Sequence, residues 1–349
     1  MSDEHPRGFA SDNNSGAHPD VLAAIAAAND GHVVAYGDDD HTAAARELFR
    51  RHFGERAEPF LVFNGTAANV LALEALTRPY DAVICPETAH LNVDECGAPE
   101  RIAGVKLIAV PTPDGKLSPE LLAERITRIG DQHASQPRVV SISEATELGT
   151  LYTPEEIRAL SDLGHERGLL LHVDGARLAN AAAALDLPLR ALTTDAGVDA
   201  LSFGGTKNGL LAGDAVVFLD PERARDFLFL RKQSMQLASK MRFFAAQFQA
   251  LLGGELWIQN AAHANAMARR LADAITAIGG VELAQPPQAN GVFANLPTAT
   301  IERLRESLPA ALPFYVWDEA AGTIRLMCSW DTTPEDVDEL AAALRAALE

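Results

Sequence analysis

The chain has 349 residues, 48% of them hydrophobic and 22% charged, which is the composition of a folded globular protein and not of a disordered one. Its 29 basic and 48 acidic residues give a formal charge of −19, so the surface repels nucleic-acid backbones and anionic membranes. No apolar run is long enough to span a bilayer, and the polar start lacks the apolar segment of a signal peptide. We therefore expect neither a nucleic-acid partner nor a membrane partner.

The three cysteines, Cys85, Cys96 and Cys328, are widely spaced and form no CxxC pair. An odd number at such spacing argues against a disulfide framework and against a structural zinc site. A reducing compartment, the cytoplasm, is the simplest location for such a chain.

After an extended arm at residues 1–18, helical patterns alternate with short apolar runs. Several runs are almost continuously apolar, which is typical of parallel strands buried on both faces. Regular alternation of this kind predicts an α/β fold with a doubly wound, mostly parallel sheet. The predicted helices are 19–30, 41–53, 66–78, 118–129, 154–167 and 177–185, and the predicted strands are 60–63, 82–85, 106–110, 139–143, 169–173 and 200–203.

The pattern changes after Gly213. Another strand is predicted there, followed by mostly helical sequence that Gly253 and Gly254 interrupt. The remaining elements predict a small α+β domain, so we expect an arm at 1–18, a large domain at 19–250 and a small C-terminal domain at 251–349. These later elements are strands at 214–219, 291–295, 314–317 and 323–327 and helices at 300–308 and 333–348.

The first candidate site residues follow the strand at 60–63, because ligands of open α/β sheets bind at the carboxyl ends of the strands. There Gly65 and Thr66 precede a helix. A glycine at a helix start lets an anion reach free backbone N–H groups, and the Thr66 hydroxyl can add a hydrogen bond. On its own, the segment is more typical of a glycine turn with threonine as the helix N-cap.

A second candidate is Asp174, which ends the strand at 169–173, with Arg177 close behind it. A buried carboxylate without a partner is costly. Asp174 therefore caps the next helix, pairs with Arg177, or faces a cationic group of a ligand.

A third candidate is Lys207, which follows the strand at 200–203 among glycines. A lysine among small residues directly after a strand is typical of a nucleophile that binds a carbonyl compound, although a solvent-exposed loop lysine has the same pattern. A phosphate-binding P-loop is excluded, because it needs Gly before the lysine and Ser or Thr after it, whereas Thr206 and Asn208 occupy those places.

His90 follows the strand at 82–85, and Asp94 and Glu95 come shortly after it. A metal site of these three residues is conceivable, but the sequence has no HExxH motif and no obvious second histidine for it. We predict no metal centre.

Taken in chain order, these segments suit pyridoxal 5'-phosphate. Lys207 would bind the aldehyde of this cofactor, and Asp174 would keep the pyridine nitrogen protonated so that the ring can accept electrons. Gly65 and Thr66 would hold the phosphate.

The sequence also resembles the low-specificity L-threonine aldolases of the β-eliminating lyase family, which are fold type I pyridoxal-phosphate enzymes. The resemblance extends from about Phe9 to the C-terminus. It rests on Ser11-Asp12-Asn13, Ser15-Gly16, His18-Pro19, Tyr36-Gly37-Asp38-Asp39, Asn64-Gly65-Thr66-Ala67-Ala68-Asn69, His90, His172-Val173-Asp174-Gly175-Ala176-Arg177 and Ser202-Phe203-Gly204-Gly205-Thr206-Lys207-Asn208.

The resemblance implies a role for each residue that matches a family motif. Lys207 would hold the cofactor covalently, His90 would stack on its ring and Asp174 would pair with the ring nitrogen. Arg177 would contact the cofactor or the substrate carboxylate, which Ser11 and Arg325 would bind. The implied cofactor-binding residues are Gly65, Thr66, His90, Asp174, Arg177, Thr206 and Lys207.

The implied reaction cleaves L-threonine, L-allo-threonine or a related β-hydroxy-α-amino acid to glycine and acetaldehyde or the corresponding aldehyde. His90, His133 or a water molecule would take the proton of the β-hydroxyl group. The same residues would also serve a phenylserine aldolase, a β-eliminating lyase or an aminotransferase, and a catalytically silent protein on this scaffold is a further alternative.

The family also implies a homotetramer built from dimers that share active sites. The segment at 36–39 would lie at a subunit contact, and Arg231, Lys240 and Arg242 would reach the phosphate site of a neighbour. One departure from the family lies at 143–147, where Ala145 replaces an asparagine that one branch has, so a substrate contact expected there is in doubt.

Overall fold

The structure is a computed structural model that describes residues 7–308 and 314–349. The first six residues of the predicted arm lie outside this range. None of the helices in the described ranges is both long and apolar enough to cross a membrane. The α-helices are α1 Pro19–Ala27, α2 Asp40–Phe53, α3 Gly65–Leu76, α4 His90–Val93, α5 Pro119–Ala123, α6 Pro154–Glu166, α7 Leu178–Leu185, α8 Phe227–Gln233, α9 Arg242–Leu252, α10 Leu256–Thr276, α11 Thr298–Ser307 and α12 Pro334–Leu348.

Two sheets organise the chain. The large sheet has seven strands in the order β1-β7-β6-β5-β4-β2-β3, and the small one has four in the order β10-β11-β9-β8. In the large sheet only β7 is antiparallel to its neighbours, whereas the small sheet is antiparallel throughout. The strands are β1 Glu58–Val62, β2 Asp81–Pro86, β3 Lys106–Val110, β4 Gln136–Ser143, β5 Leu170–Gly175, β6 Ala200–Gly204, β7 Asp214–Phe218, β8 Glu282–Leu283, β9 Gly291–Asn295, β10 Tyr315–Asp318 and β11 Thr323–Met327.

Helices cover both faces of the large sheet. The central strands β2 and β5 are buried along their whole length, which explains why their sequences read as continuous apolar runs. Helices α3 and α8 pack on one face, and α2, α6, α7 and α9 pack on the other. The carboxyl ends of the parallel strands therefore open at one edge, between two helical layers.

The small sheet packs against α11, α12 and the C-terminal half of α10. Helix α10 contributes to both hydrophobic cores, with Trp257 and Ala261 in the core of the large domain and Leu271 and Ile275 in the core of the small one. The change from one core to the other thus falls within α10. The domain division near residue 250 stays a prediction.

The N-terminal arm runs between the two domains. Phe9 is buried in the core of the small domain, and its carbonyl oxygen accepts a 2.7 Å hydrogen bond from the Met327 N–H. The His18 N–H donates to the carbonyl of Gly209, in the large domain, at 2.8 Å. This double attachment brings residues 10–16 close to the open edge of the sheet.

Helix α5 is shorter than predicted and ends at Ala123, whereas the sequence pattern predicted a helix to residue 129. Ile126, Thr127 and Ile129 are β-branched and Gly130 follows, and all of these residues have low helix propensity. The short elements α4 and β8 were not predicted, because four or two residues carry too little periodicity to be recognised.

We expect Phe49→Ala to destabilise the large domain by about 3–5 kcal/mol, because it leaves a cavity in an aromatic cluster. Phe49 is fully buried, and its ring lies 5.1 Å from Phe248 and 5.8 Å from Phe203, centroid to centroid. Denaturant unfolding measures the loss, with Arg51→Ala on the exposed face of the same helix as the control. A loss below about 1 kcal/mol would contradict this packing.

Candidate active site

A cavity of about 280 Å³ lies at the carboxyl ends of β2, β5 and β6, next to the amino end of α3. Its lining is assembled from loops and strand ends that are far apart in sequence. The predicted residues that it brings together are Gly65, Thr66, His90, Asp174, Thr206 and Lys207.

Lys207 lies on a single 3-10 turn, Thr206–Asn208, directly after β6. The last residue of β6, Gly204, must be a glycine, because a Cβ atom there would lie 2.7 Å from the backbone of Ala176. Gly209 ends the turn with φ +100°, a conformation that disfavours other residues. The lysine side chain faces the cavity and has no hydrogen-bond or ion-pair partner among the described residues. It is therefore available to a ligand.

Asp174 neither caps a helix nor pairs with Arg177. Helix α7 begins at Leu178 without a side-chain cap, and the Arg177 guanidinium binds another carboxylate. Asp174 is buried and accepts a 2.8 Å hydrogen bond from Asn69 Nδ2 and a 3.1 Å bond from the Ala176 N–H. Of the three interpretations of this residue, a carboxylate that faces a cationic group of a ligand is the one that fits these contacts.

The amino end of α3 is built to receive an anion. Its N-cap is Asn64, whose Oδ1 accepts the Ala67 N–H at 2.9 Å, so the interpretation of Thr66 as the N-cap is wrong. Thr66 lies in the first turn, where the leading N–H groups of a helix have no partner within the helix. Gly65 and Thr66 both line the cavity at this end.

Asp214, at the start of β7, lines the same end of the cavity and was missed by the sequence analysis. Its Oδ1 accepts the Gly205 N–H at 2.9 Å and fixes the turn that carries the lysine. Burial raises the pKa of Asp214. A Cβ atom on Gly65 would lie 3.6 Å from its other oxygen, so Asp214 borders the space in front of α3.

A chain of buried hydrogen bonds connects His90 to Asp174. His90 Nδ1 lies 2.9 Å from Glu95 Oε1, and the same oxygen accepts a 2.9 Å bond from Asn69 Nδ2, which also donates to Asp174. The hydrogen bond to Glu95 raises the pKa of His90, and burial raises the pKa of Glu95. Asn69 and Glu95 lie in segments that the sequence analysis quoted, but no role was assigned to them.

Arg177 forms a buried, bidentate ion pair with Asp12. Arg177 Nε donates to Asp12 Oδ2 at 2.7 Å and Nη2 donates to Oδ1 at 2.9 Å, while Asn290 Nδ2 donates to Oδ2 at 3.0 Å. Burial alone would raise the pKa of Asp12, but Arg177 and the other donors lower it to about 2. Asp12 was quoted as part of a motif without a role, and the predicted partner of Arg177 was a ligand instead.

Arg325 lines a second, smaller pocket that adjoins the cavity and also includes Arg177. Its guanidinium lies over the Trp317 ring at 4.9 Å, and Nη2 donates to the carbonyl of Ala10 at 3.3 Å. Its Nε is buried without a hydrogen-bond partner among the described residues, and burial lowers the pKa of the group. Such an arginine is suited to bind a carboxylate.

Two predicted residues lie outside the cavity of their own chain. Ser11 accepts a hydrogen bond from the Asn13 N–H at 3.2 Å and lines neither pocket, so its contact with a substrate stays a prediction. His133 lies before β4, whose eight residues separate it from the cavity by roughly 25 Å. The placement of His133 at the reacting centre of its own chain is therefore wrong. His133 lies instead at the opposite edge of the sheet, where β4 begins.

The predicted subunit-contact residues also lie apart from this cavity. Arg231 is buried, and its guanidinium lies 5.5 Å from the centre of the Phe60 ring. Lys240 and Arg242 border a surface groove together with residues 31–35. In addition, the described residues contain no group of three metal-ligating side chains, and His90 and Glu95 are hydrogen-bonded to each other.

The ion pair of Asp12 predicts a dependence of stability on pH. Because its pKa is about 2 in the folded protein against a usual 3.8, Asp12 stabilises the fold by about 2 kcal/mol above pH 4. This contribution is lost as the pH falls from about 4 to 2. Asp12→Asn should destabilise the fold by about 3–5 kcal/mol at pH 7, because it leaves Arg177 buried without a counter-charge.

Denaturant unfolding at pH 7, 4 and 2.5 tests this prediction. The variant should lose about 1.4 kcal/mol less than the wild type between pH 4 and 2.5, because part of the Asp12 contribution still remains at pH 2.5. Asp20→Asn, on the exposed surface of α1, is the control. Equal losses in the Asp12→Asn variant and the wild type would contradict the assignment.

Comparison with known proteins agrees with this architecture. A profile of the family described as "Beta-eliminating lyase" matches residues 8–299. The low specificity L-threonine aldolase of Pseudomonas aeruginosa is 47% identical over 346 residues, which is 99% of each chain. The enzyme of the same name from a Pseudomonas species is also 47% identical, over 100% of this chain and 99% of that one.

The fold is that of a solved threonine aldolase. The Leishmania major structure superposes with a TM-score of 0.91 and 31% identity, covering 99% of this chain and 100% of the other. The predicted α/β fold with a small C-terminal α+β domain is thereby confirmed, as is the predicted resemblance. The chain belongs to the β-eliminating lyase family.

Proposed function

We propose that this lyase cleaves L-threonine, L-allo-threonine and related β-hydroxy-α-amino acids into glycine and an aldehyde, using pyridoxal 5'-phosphate. The reaction is taken from the names of the relatives that match over the full chain. The observation that supports the cofactor is the single cavity in which Lys207, Asp174 and the amino end of α3 face one another.

The residues present fit this cofactor. Gly65, Thr66 and Thr206 would hold the phosphate at the positive end of α3, where backbone N–H groups are free to donate. Asp174 would hold the ring nitrogen, because it is a buried carboxylate that faces the cavity. Lys207 would bind the aldehyde carbon. When bound, the cofactor supplies a covalent attachment for an amino group and a cationic ring that accepts electrons from a breaking bond.

The surrounding residues would direct the reaction. Asp174 would keep a proton on the ring nitrogen, and Asn69 fixes the orientation of its carboxylate. Arg325 would bind the substrate carboxylate and so orient the substrate for cleavage of its Cα–Cβ bond. Arg177 borders the same pocket but donates two hydrogen bonds to Asp12, so it would contribute charge and one remaining nitrogen, Nη1.

His90 would lie against the ring and near the reacting carbon. Glu95 binds its Nδ1 and leaves Nε2 free to face the cavity. This nitrogen, or a water molecule that it holds, would take the proton of the β-hydroxyl group. Since His133 lies at the opposite edge of the sheet, it is not a candidate for this step within one chain.

Lys207→Ala should abolish both covalent cofactor binding and turnover. The measurement is the visible absorption of the purified protein with added cofactor, together with an assay for acetaldehyde from L-threonine. The wild type should absorb above about 400 nm and release acetaldehyde, as expected for a lysine-bound pyridoxal cofactor. Lys106→Ala, on an exposed strand position, is the matched control.

The products distinguish this function from its alternatives. A coloured wild-type protein that forms a 2-oxo acid would be an aminotransferase, and one that releases ammonia would be an eliminating lyase. A larger aldehyde from a substrate such as phenylserine would change the preferred substrate only. A wild-type protein that fails to take up the cofactor would contradict the proposal as a whole.

We also propose that the chain forms a homotetramer of dimers whose active sites are shared. The support is a set of large apolar side chains at the surface: Val34, Leu211, Phe229 and Met235 are 60–82% exposed. Exposed apolar side chains of this size are typical of interaction sites where they lie together. Leu211 also lines the cavity, so a neighbour that covers this surface would close the active site. The cytoplasmic location stays a prediction.

A shared site predicts complementation between two inactive variants. Lys207→Ala lacks the lysine, and the double variant Lys240→Ala and Arg242→Ala lacks the cations predicted to reach a neighbour. If each site combines residues of two chains, co-expression of the two variants should restore about a quarter of the wild-type activity. Light scattering of the same samples measures the assembly. No recovery in a mixed oligomer would show that each chain completes its own site.

A further inference from the structure

Glu147 lies on the loop after β4, where the cavity meets the arginine pocket. It lines both the cavity that contains Lys207 and His90 and the smaller pocket that contains Arg177 and Arg325. Among the residues in 7–308 and 314–349, no other one lines both. Its carboxylate therefore stands between the group that would bind the substrate nitrogen and the groups that would bind the substrate carboxylate.

Backbone hydrogen bonds fix the loop that carries Glu147. The Thr146 N–H donates to the carbonyl of Thr150 at 3.0 Å, and the Gly149 N–H donates to the carbonyl of Thr146 at 2.9 Å. Gly149 has φ +76°, and a Cβ atom there would lie 3.1 Å from the Phe293 ring. The loop is thus a tight, packed turn that presents Glu147 at its tip.

Glu147 differs from the other polar side chains of its loop. The Glu144 carboxylate is fully buried and accepts the Tyr152 N–H at 3.0 Å, and the Thr146 and Thr150 hydroxyl groups bind each other at 2.7 Å. Ala145 cannot make a polar contact. Glu147 is half-buried and has no hydrogen-bond or ion-pair partner among the residues that the structure describes.

The charge of Glu147 acts on three groups of the site. It raises the pKa values of His90 and Arg177 and opposes the lowering, by burial, of the pKa of Arg325. A carboxylate held among these cations without contacting any of them leaves room for a ligand between them. An anionic group that entered this space would meet a like charge.

The proposed reaction places a specific part of the substrate there. The substrate nitrogen would bind the aldehyde carbon in place of Lys207, and the substrate carboxylate would bind Arg325. The substituents of the β-carbon would then point toward the remaining wall, which His90 and Glu147 form. One of these substituents is the hydroxyl group that loses its proton during cleavage.

We propose that Glu147 determines the substrate range: its carboxylate accepts a hydrogen bond from the β-hydroxyl group when the substrate binds, before that proton passes to His90 or its water molecule, and it disfavours substrates whose β-substituent is anionic. This inference rests on the proposed function. The inference assigns substrates with neutral β-substituents, such as L-threonine, to this site. It disfavours acidic analogues such as 3-hydroxyaspartate, whose cleavage products are glycine and glyoxylate.

The test compares Glu147→Gln and Glu147→Ala with the wild-type holoenzyme. In Glu147→Gln the negative charge is lost but an oxygen acceptor remains, so kcat/KM for L-threonine should fall less in this variant than in Glu147→Ala. The value for 3-hydroxyaspartate should rise at least about tenfold, because the like-charge repulsion is removed. Glu166→Gln, an exposed glutamate at the end of α6, is the matched control and should change neither value.

A binding measurement separates recognition from a structural role. Glycine has no β-carbon, so its dissociation constant, measured by absorbance titration of the holoenzyme, should not change in Glu147→Ala. The KM for L-threonine should rise about tenfold in the same variant, as expected for a lost hydrogen bond to a charged group.

Three outcomes would overturn the inference. An unchanged ratio of the two substrates in Glu147→Gln would show that the charge does not select the β-substituent. Equal weakening of glycine and threonine binding in Glu147→Ala would indicate a structural role. A wild-type enzyme that cleaves neither substrate would overturn the proposed function, and the inference with it. If the wild type is active and the Glu147 variants behave like it, only the inference is overturned.

Discussion

The buried ion pair between Asp12 and Arg177 is the interaction on which the arrangement of the site depends. Asp12 belongs to the N-terminal arm, Arg177 follows β5 of the large domain, and Asn290, which donates to the same carboxylate, precedes β9 of the small domain. A buried charge without a partner would cost several kcal/mol, so the three parts of the chain are constrained to meet at this point. The arm also accepts a hydrogen bond from Arg325 through the Ala10 carbonyl. The position of Arg325, which would bind the substrate carboxylate, thus depends on the position of Asp12.

A second constraint is the pair of hydrogen bonds that Asn69 donates inside the site. Asn69 Nδ2 lies between two carboxylates and donates to both, at 2.9 Å to Glu95 and at 2.8 Å to Asp174. Burial, together with the charge of Asp174, raises the pKa of Glu95. The amide of Asn69 therefore fixes the orientation of both carboxylates. The position of His90 depends on that of Asp174 through Asn69 and Glu95.

Most of the fold could be predicted from the sequence, because buried parallel strands and amphipathic helices leave a strong apolar pattern. Strands β3, β9 and β11 have the predicted bounds. The residues next to strand ends, Asp174 and Lys207, could also be placed, since the carboxyl ends of parallel strands meet at one edge of the sheet. The position of His133 could not be predicted. It lies before the first residue of β4, and the site lies beyond the last residue of that strand.

The contacts that join distant segments could not be predicted from one sequence. The partner of Arg177 lies 165 residues away in the arm, and the pairing of Asn69 with Asp174 spans 105 residues. Local patterns contain no information about such pairs. Asp214 was missed for a different reason, since it reads as the polar start of an ordinary strand until the turn at Gly205 folds back onto it.

Different groups lie at the two ends of the cavity. Their positions explain how an acidic chain can bind a cofactor and a substrate that both carry anionic groups. At the proposed phosphate end, Asp214 accepts the Gly205 N–H, while the leading backbone N–H groups of α3 border the cavity and are free to bind an anion. At the proposed carboxylate end, Arg325 is buried with one N–H group unpaired, so it gains most from an incoming anion. The net charge of −19 belongs to the whole chain and does not describe this interior. Binding depends instead on where the fold places its charged side chains, and in the cavity Asp174 faces the space where the cationic ring nitrogen of the proposed cofactor would lie.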